Sequence, residues 1–483
     1  MDQEIRHQIL IGLVCNLLIV DCGLHEGWAT ITLPKFGNED PLELTSNQQV
    51  LLINLLYVGV GLGSLAPVFL MDRYGRKWTL LAAAVPKIFS WIAIGLANSH
   101  MTLYAARLLA GVGCGISYSV MPMYIGEIST KRTRGPLGTL QTVLINIGVL
   151  LVYSVGLHVE RFTMAMMSLV VPVLFIVTFI WLPESSVYLT RKNRLVSAEK
   201  TLKWSLGKEN VEEEFEEIKR IVATEDVVKK IGFCKSLIIG MKSPANQRAA
   251  GIMLIVANAM SLTGAAPILS YQSFIFEEAK FEIGANAGII STGCAIVLAG
   301  MACVAMVKRF GKRNILLYGT PIAILSLATT ATYFTLTSYQ VNLDHVNWIP
   351  MVFVVIYIVV FGLSFNPMPL AYLGELFSFE IKAAAGICTS LYYALSTIGI
   401  IKLYQVLHDS YGTHAPFWLF TVITLILWIF IYLYVMETEG KTLEEIQNDL
   451  YRVATEKKRK SVVGINPLNK IHLESTSINS TKV

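Results

Sequence analysis

Residues 72–77 read DRYGRK, a charged hexapeptide wedged between apolar blocks at 47–71 and 78–97. A near copy, KRFGKR, stands at 308–313 between apolar blocks at 285–307 and 314–337. Two further signals recur in the same order. YIGEI at 124–128 returns as YLGEL at 372–376, and PES at 183–185 returns as MET at 436–438. One such match carries little weight, but three in register mark an internal duplication. The tendency of basic residues to gather in cytoplasmic loops accounts for the Arg and Lys. It does not account for Gly75 and Gly311, or for Glu127 and Glu375, at matched places.

Outward from these hexapeptides the chain is a series of long apolar blocks. They run 9–33, 47–71, 78–97, 102–126, 135–157 and 162–182, then 249–276, 285–307, 314–337, 348–377, 383–407 and 415–436. A bilayer core takes about 20 apolar residues of helix. Backbone polar groups in lipid must be paired within the segment, so such runs are helices, and they are too long and evenly apolar for barrel strands. Composition agrees: 54% of the 483 residues are hydrophobic and 15% charged, against about 25% charged in soluble domains. The expected fold class is an all-α membrane protein of 12 transmembrane helices in two pseudo-symmetric six-helix bundles. Two such halves are the architecture of alternating-access carriers, which open a midplane site to one side at a time.

Basic residues in the short loops orient the chain. Loops after even-numbered spans carry Arg73, Arg76, Lys77, Lys131, Arg132, Arg134, Lys308, Arg309, Lys312, Arg313 and Lys382; loops after odd-numbered spans carry only Lys35, Arg161 and Lys280. The bias places both termini in the cytoplasm. The expected organisation is a cytoplasmic N-terminus at 1–8, a first bundle at 9–182, a cytoplasmic helical linker at 183–248, a second bundle at 249–436 and a cytoplasmic tail at 437–483. Within the linker, Val211, Phe215 and Ile218 fall at helical spacing beside EEEFEEIKR, which predicts short amphipathic helices. The tail begins helix-like with KTLEEIQNDL and ends polar, with the disorder-prone composition of a solvated segment. KKRK at 457–460, before Ser461, suits a lipid headgroup or a kinase as well as plain solvent. The sequon Asn479-Ser480-Thr481 lies in that tail and is expected to be unused.

Other classes find little support. The seven cysteines, Cys15, Cys22, Cys114, Cys234, Cys294, Cys303 and Cys388, form no CxxC pair, so neither a disulfide framework nor a metal site is indicated. The first apolar block is too long for a signal-peptide core and reads as a retained anchor. GxSxG, HExxH and P-loop motifs are absent, so no enzyme or cofactor is expected. A net charge of +5, with basic residues confined between the blocks, argues against nucleic acid. Nothing suggests a channel filter.

The motifs together resemble the sugar porter family of the major facilitator superfamily, and within it the facilitated trehalose transporter branch of insects. The resemblance covers about residues 9–450. It rests on Gly27, Trp28, Leu33 and Pro34 in the first span and on the DRYGRK loop. RLLAGVGCG (107–115) leads to PMYIGEIS (122–129), RGPLGTLQ (134–141) opens the fifth span, and LPESSVYL (182–189) follows the sixth. NPMP (366–369), GELF (374–377) and ETEGKTLEEI (437–446) complete the set.

The resemblance implies a charged latch across the cytoplasmic face: Asp72, Arg73, Arg76, Glu127, Arg134 and Glu184 in one half, and Arg309, Lys312, Arg313, Glu375, Lys382 and Glu437 in the other. Surface ion pairs are worth about 0–1 kcal/mol each, so such a network can open on every cycle. Lys308 stands where the family has an acid, and Ala383 where it has a glycine.

Sugar sites in similar transporters use side-chain amides and aromatics, and Gln141 and Tyr271 match two of these positions. An amide both donates and accepts, which suits hydroxyl groups. Elsewhere the pattern departs. The family's QQLSGIN reads MSLTGAA (260–266), and Ile296, Leu370 and the Tyr393-Ala394 pair replace polar or aromatic residues. Each lost hydrogen bond is worth about 0.5–1.5 kcal/mol, so glucose specificity does not transfer. Asn258, Ser261, Thr263, Asn366, Tyr392 and Tyr393 are the replacement candidates, with helix packing or capping as the alternative reading.

Charges inside the spans are costly and usually paired. Asp21 and His25 share a helical face, while Glu26 and Arg107 lie at similar depths, about 10 Å from the outer end at ~1.5 Å per residue. Arg107 is expected to pair with Glu26 or Asp21, either as a proton-coupling site or as a structural pair. Lys87 has no evident partner, and Lys402 is placed to snorkel. The leading expectation is a monomeric plasma-membrane carrier of a small polar solute, trehalose or a hexose, working facilitatively. The alternatives are a proton symporter and a non-transporting sugar sensor of the same fold.

Overall fold

A computed structural model describes residues 3–129, 134–229, 238, 240–279, 284–377, 379–441 and 444–453. The first half consists of α1 (Gln3–Thr32), α2 (Ser46–Tyr74), α3 (Arg76–Gly95), α4 (His100–Ile128), α5 (Arg134–Gly156) and α6 (Arg161–Phe179). Three short helices follow: α7 (Ser186–Arg191), α8 (Leu195–Leu206) and α9 (Glu212–Lys229). The second half holds α10 (Pro244–Ser261), α11 (Ala265–Glu278), α12 (Ala285–Phe310), α13 (Lys312–Ser338), α14 (Ile349–Val360), α15 (Met368–Leu376), α16 (Phe379–Tyr411) and α17 (His414–Tyr434). Eleven spans among the described residues are long and apolar enough to cross a membrane, with α10–α11 and α14–α15 each counted as one. The remaining position belongs to α5, whose apolar part is Leu140–Gly156. The fold is the all-helical, twelve-span architecture expected from the sequence. KKRK, Ser461, the sequon, Cys234, Lys131, Arg132 and Lys280 lie outside the described residues, as do the side chains of Arg134, Lys382 and Ala383.

Two apolar runs that read as single helices are broken, each for a local reason. Between α10 and α11 the chain turns at Gly264, with φ +92°. A Cβ there would sit 2.2 Å from the ring of Phe420, so only glycine fits. The break frees backbone groups that lipid cannot satisfy, and Tyr357 supplies a partner: its hydroxyl donates to the Thr263 carbonyl at 3.0 Å. Between α14 and α15 a π-helical turn, Phe361–Phe365, precedes Pro367, which cannot continue the i to i−4 ladder.

Small residues set the packing inside the first half. Gly59 and Gly111 bring α2 and α4 into backbone contact, so a Cβ on Gly111 would lie 2.0 Å from the Leu56 carbonyl oxygen. Gly23 and Gly148 do the same for α1 and α5. Without a hydrophobic drive between helices in lipid, such close approach is what holds spans together. The halves meet along α2 with α16, α5 with α12, and α1 with α11. The linker helices bury Tyr188, Leu189, Ala198, Leu202, Leu206, Val211 and Phe215 in their own small core, with Ile218 packed against it. Gln8 donates to the Ser205 carbonyl at 2.6 Å and ties α1 to α8.

Candidate functional site

The hexapeptides at 72–77 and 308–313 mark one end of the molecule, the basic-loop end. In the first half the single residue Gly75 (φ +94°) joins α2 to α3. This turn aims the N-terminus of α3 at Glu184, whose carboxylate accepts from the backbone N–H groups of Arg76 (3.0 Å) and Lys77 (3.1 Å) and from its neighbour Ser185 (2.9 Å). Burial pushes the Glu184 carboxyl above the ordinary range, while those three N–H groups and the Arg76 guanidinium pull it down. Arg76 donates twice to Glu127 at the end of α4, from Nη2 at 2.8 Å and Nε at 3.1 Å. Ser185 Oγ donates to the other Glu127 oxygen. Tyr124 donates to the Pro183 carbonyl at 2.7 Å.

The second half repeats this arrangement with Lys312 in the place of Arg76. Gly311 (φ +80°) joins α12 to α13. Glu437 accepts from the N–H groups of Lys312 (3.1 Å) and Arg313 (3.0 Å). Lys312 Nζ donates to Glu375 at 2.8 Å and also to Glu439. Tyr372 donates to the Met436 carbonyl at 3.1 Å. The duplicated motifs therefore encode one device used twice: a glycine turn, a helix N-terminus on a glutamate, and a cation on a second glutamate. These pairs lie within each half, where the sequence reading placed them across the face between the halves. Asp72 is 3.6 Å from Arg191 of α7, and Arg73 offers its carbonyl to Tyr188 at 3.1 Å. Arg313 also reaches the Tyr432 carbonyl at 3.1 Å, and Arg309 lies over the ring of Phe310. Ser185 and Glu439 were missed from sequence, although both stand beside residues that were singled out.

The replacement candidates of the second half are largely occupied. Ser261 donates to the Ala257 carbonyl (3.0 Å) and Thr263 to the Ala259 carbonyl (2.9 Å), each one turn back on its own helix. Tyr392 donates to Asn258. Tyr271 stacks on Tyr404 with ring centroids 5.3 Å apart. Asn366 is half-buried beside the π-helical turn. Tyr393 meets Tyr57 of the first half edge-on at 6.2 Å. Gln141 is buried on α5, and its Nε2 has no hydrogen-bond partner. A buried amide left open in this way is suited to a ligand.

The buried charges pair differently from the expectation. Arg107 contacts neither Glu26 nor Asp21 as an ion pair. Its Nη1 donates to the His25 carbonyl at 2.7 Å, its Nε to the Leu52 carbonyl at 3.4 Å, and its guanidinium lies 5.1 Å from the Trp28 ring centre. Depth alone suggested an ion pair; the azimuths of α1 and α4 instead aim the guanidinium at backbone carbonyls. Asp21 is held by α3: Lys87 Nζ lies 3.4 Å from one oxygen, and Trp91 Nε1 donates to the other at 2.8 Å. Lys87 also donates to the Leu18 carbonyl at 2.8 Å. His25 stacks on Trp91 with centroids 4.0 Å apart. Glu26 accepts from Tyr118 at 2.7 Å. Lys402, placed to snorkel, donates to Asn47 of the first half at 3.0 Å.

Residues 24–450 match the family model described as sugar (and other) transporter. Facilitated trehalose transporter Tret1 of Drosophila mojavensis is 31% identical over 409 residues, 84% of this chain and 47% of that protein. The chain thus spans about half the length of that relative. Facilitated trehalose transporter Tret1-2 homolog of Drosophila sechellia is 31% identical over 383 residues, 79% of this chain and 78% of that protein. In architecture the chain is similar to the inward open conformation of the xylose transporter XylE from E. coli, at 19% identity and a TM-score of 0.72 over 91% of this chain and 99% of that one.

Proposed function

The chain belongs to the sugar transporter family, whose members are carriers rather than enzymes, and on that premise we propose that it carries a small polyhydroxylated solute, trehalose or a hexose, facilitatively across the plasma membrane. The observation that carries the facilitative reading is the fate of the buried charges. Asp21 is neutralised by Lys87, and Arg107 is spent on the carbonyls of His25 and Leu52. Among the described residues no acid of α1 forms an ion pair with Arg107, so the pairing on which a proton-coupled reading would rest is not made.

The described hydrogen bonds between halves also support alternating access. Thr30 to Leu269 (2.7 Å), Ser273 to Thr30 (2.7 Å), Asn146 to Ile296 (3.2 Å) and Lys402 to Asn47 (3.0 Å) lie at mid-depth or toward the end away from the basic loops. That pattern suits a carrier shut on the outer side, with both termini cytoplasmic and the duplicated charge devices stiffening each half as it rocks.

Uptake of radiolabelled trehalose and glucose into oocytes tests the proposal. Saturable uptake is expected, with Gln141→Ala raising KM about tenfold, the loss of roughly one good hydrogen bond. Protein at the cell surface that binds sugar but moves none would instead identify a sensor.

A further inference from the structure

One face of α1 is claimed neither by the Asp21 ion pair nor by the glycine seam, and it carries Glu26. The contacts divide the helix by azimuth. Asp21 and His25 turn to α3. Gly23 and Gly27 press on α5. Glu26 and Thr30, one turn apart, share another face. Thr30 shows where that face looks: its hydroxyl donates to Leu269 and its carbonyl accepts from Ser273, both on α11 of the opposite half. Glu26 therefore sits about 6 Å toward the basic-loop end from a contact that closes the two halves together.

At that level Glu26 is half-buried, whereas Asp21 and His25 are wholly buried. Tyr118 of α4 is half-buried too, and its hydroxyl fixes Oε1 at 2.7 Å. Oε2 enters no described hydrogen bond. The phenols of Tyr57, Tyr153 and, from the opposite half, Tyr393 lie within electrostatic reach. No cation stands within ion-pair distance of Glu26 among the described residues, since Lys87 is turned to Asp21 and Arg107 to carbonyls, although both act on its carboxylate through space. Meanwhile Ser261, Thr263, Asn258 and Tyr392 of the second half are bonded within the protein.

We propose that Glu26 is a specificity-determining residue: Tyr118 holds its carboxylate so that Oε2 accepts hydrogen from the bound solute, and the carrier consequently prefers a sugar bearing an ammonium group over its neutral parent. The proposal rests on the sugar-carrier reading above. A carboxylate is acceptor-only, and its bonds to hydroxyl or ammonium protons are about twice as strong as neutral ones. An ammonium adds Coulomb attraction in a partly desolvated site, where charges are screened least.

The test uses the full chain in proteoliposomes, with labelled trehalose or glucose, whichever the wild type carries. Competition is compared between glucose and 2-amino-2-deoxyglucose at a pH where the amine is charged. The wild type should be inhibited about tenfold more strongly by the amine, a step of one charge-assisted bond. Glu26→Gln should bring that ratio to about one while raising KM for the labelled sugar, and Tyr118→Phe should lower it partway. A merely structural role would change the amount of active protein but not the ratio. A wild-type ratio near one, or a ratio unchanged in Glu26→Gln and Tyr118→Phe, overturns the proposal while leaving the carrier reading intact. Absence of any sugar uptake by the wild type overturns both.

Discussion

Lys87 of α3 and Asp21 of α1 face each other at 3.4 Å, both fully buried. The pair joins two helices in the middle of the first half, where Lys87 also donates to the Leu18 carbonyl at 2.8 Å and to Cys22 Sγ at 3.0 Å, and Asp21 accepts from Trp91. Removing one partner leaves an uncompensated buried charge, which costs about 3–5 kcal/mol. Lys87→Met should therefore lower the thermal transition of detergent-purified protein sharply. Lys87→Met combined with Asp21→Asn should recover at least half of the loss, because no charge is then stranded. Equal transitions for single and double variants would show that removing Lys87 strands no charge on Asp21.

Arg107 is expected to act through hydrogen bonds and not through proton exchange. Arg107→Lys keeps the charge but cannot reach both the His25 and Leu52 carbonyls. It should cost about 1–3 kcal/mol of stability. Uptake by the wild type and by the variant should be equally indifferent to an imposed proton gradient. Faster uptake by the wild type under an inward acid gradient, lost in Arg107→Lys, would establish proton coupling instead.

Gly75 and Gly311 should be intolerant of alanine to the same degree. Their backbones, at φ +94° ψ 177° and φ +80° ψ 160°, lie in a region that is essentially glycine's own. A Cβ would meet Glu184 at 2.2 Å and Glu437 at 2.3 Å. The backbone strain alone is of order 1–3 kcal/mol. Gly75→Ala and Gly311→Ala are each expected to lower thermostability by that amount. A neutral result at one site would mean that the two copies of the device are not equivalent.

Tyr357→Phe removes the hydroxyl that serves the Thr263 carbonyl and Oγ1, both at 3.0 Å. The broken helix between α10 and α11 would then carry an unsatisfied buried carbonyl, worth about 1–3 kcal/mol. Faster hydrogen exchange at 262–268 is the expected signature. Exchange unchanged from wild type would show that another group closes the break.

The recurrence of DRYGRK, YIGEI and PES was enough to read twelve spans in two halves, since the number and length of spans depend only on how many successive residues lipid will accept. Even the equivalence of Glu127 with Glu375 was legible, because both residues are local to a repeated motif. The breaks at Gly264 and at the π-helical turn were not, because each depends on what packs beside it: Phe420 in one case and the registry before Pro367 in the other.

The same division holds for the charges. How deep Asp21, Glu26, Lys87 and Arg107 lie follows from residue count alone, because depth is residue count times the helical rise. Which way each points, and therefore that Lys87 finds Asp21 while Arg107 finds two carbonyls and Glu26 finds Tyr118, was decided only when close glycine contacts set the rotation of α1, α3 and α4 against one another. A helix's own residues determine its length and its faces; its neighbours determine which face meets which.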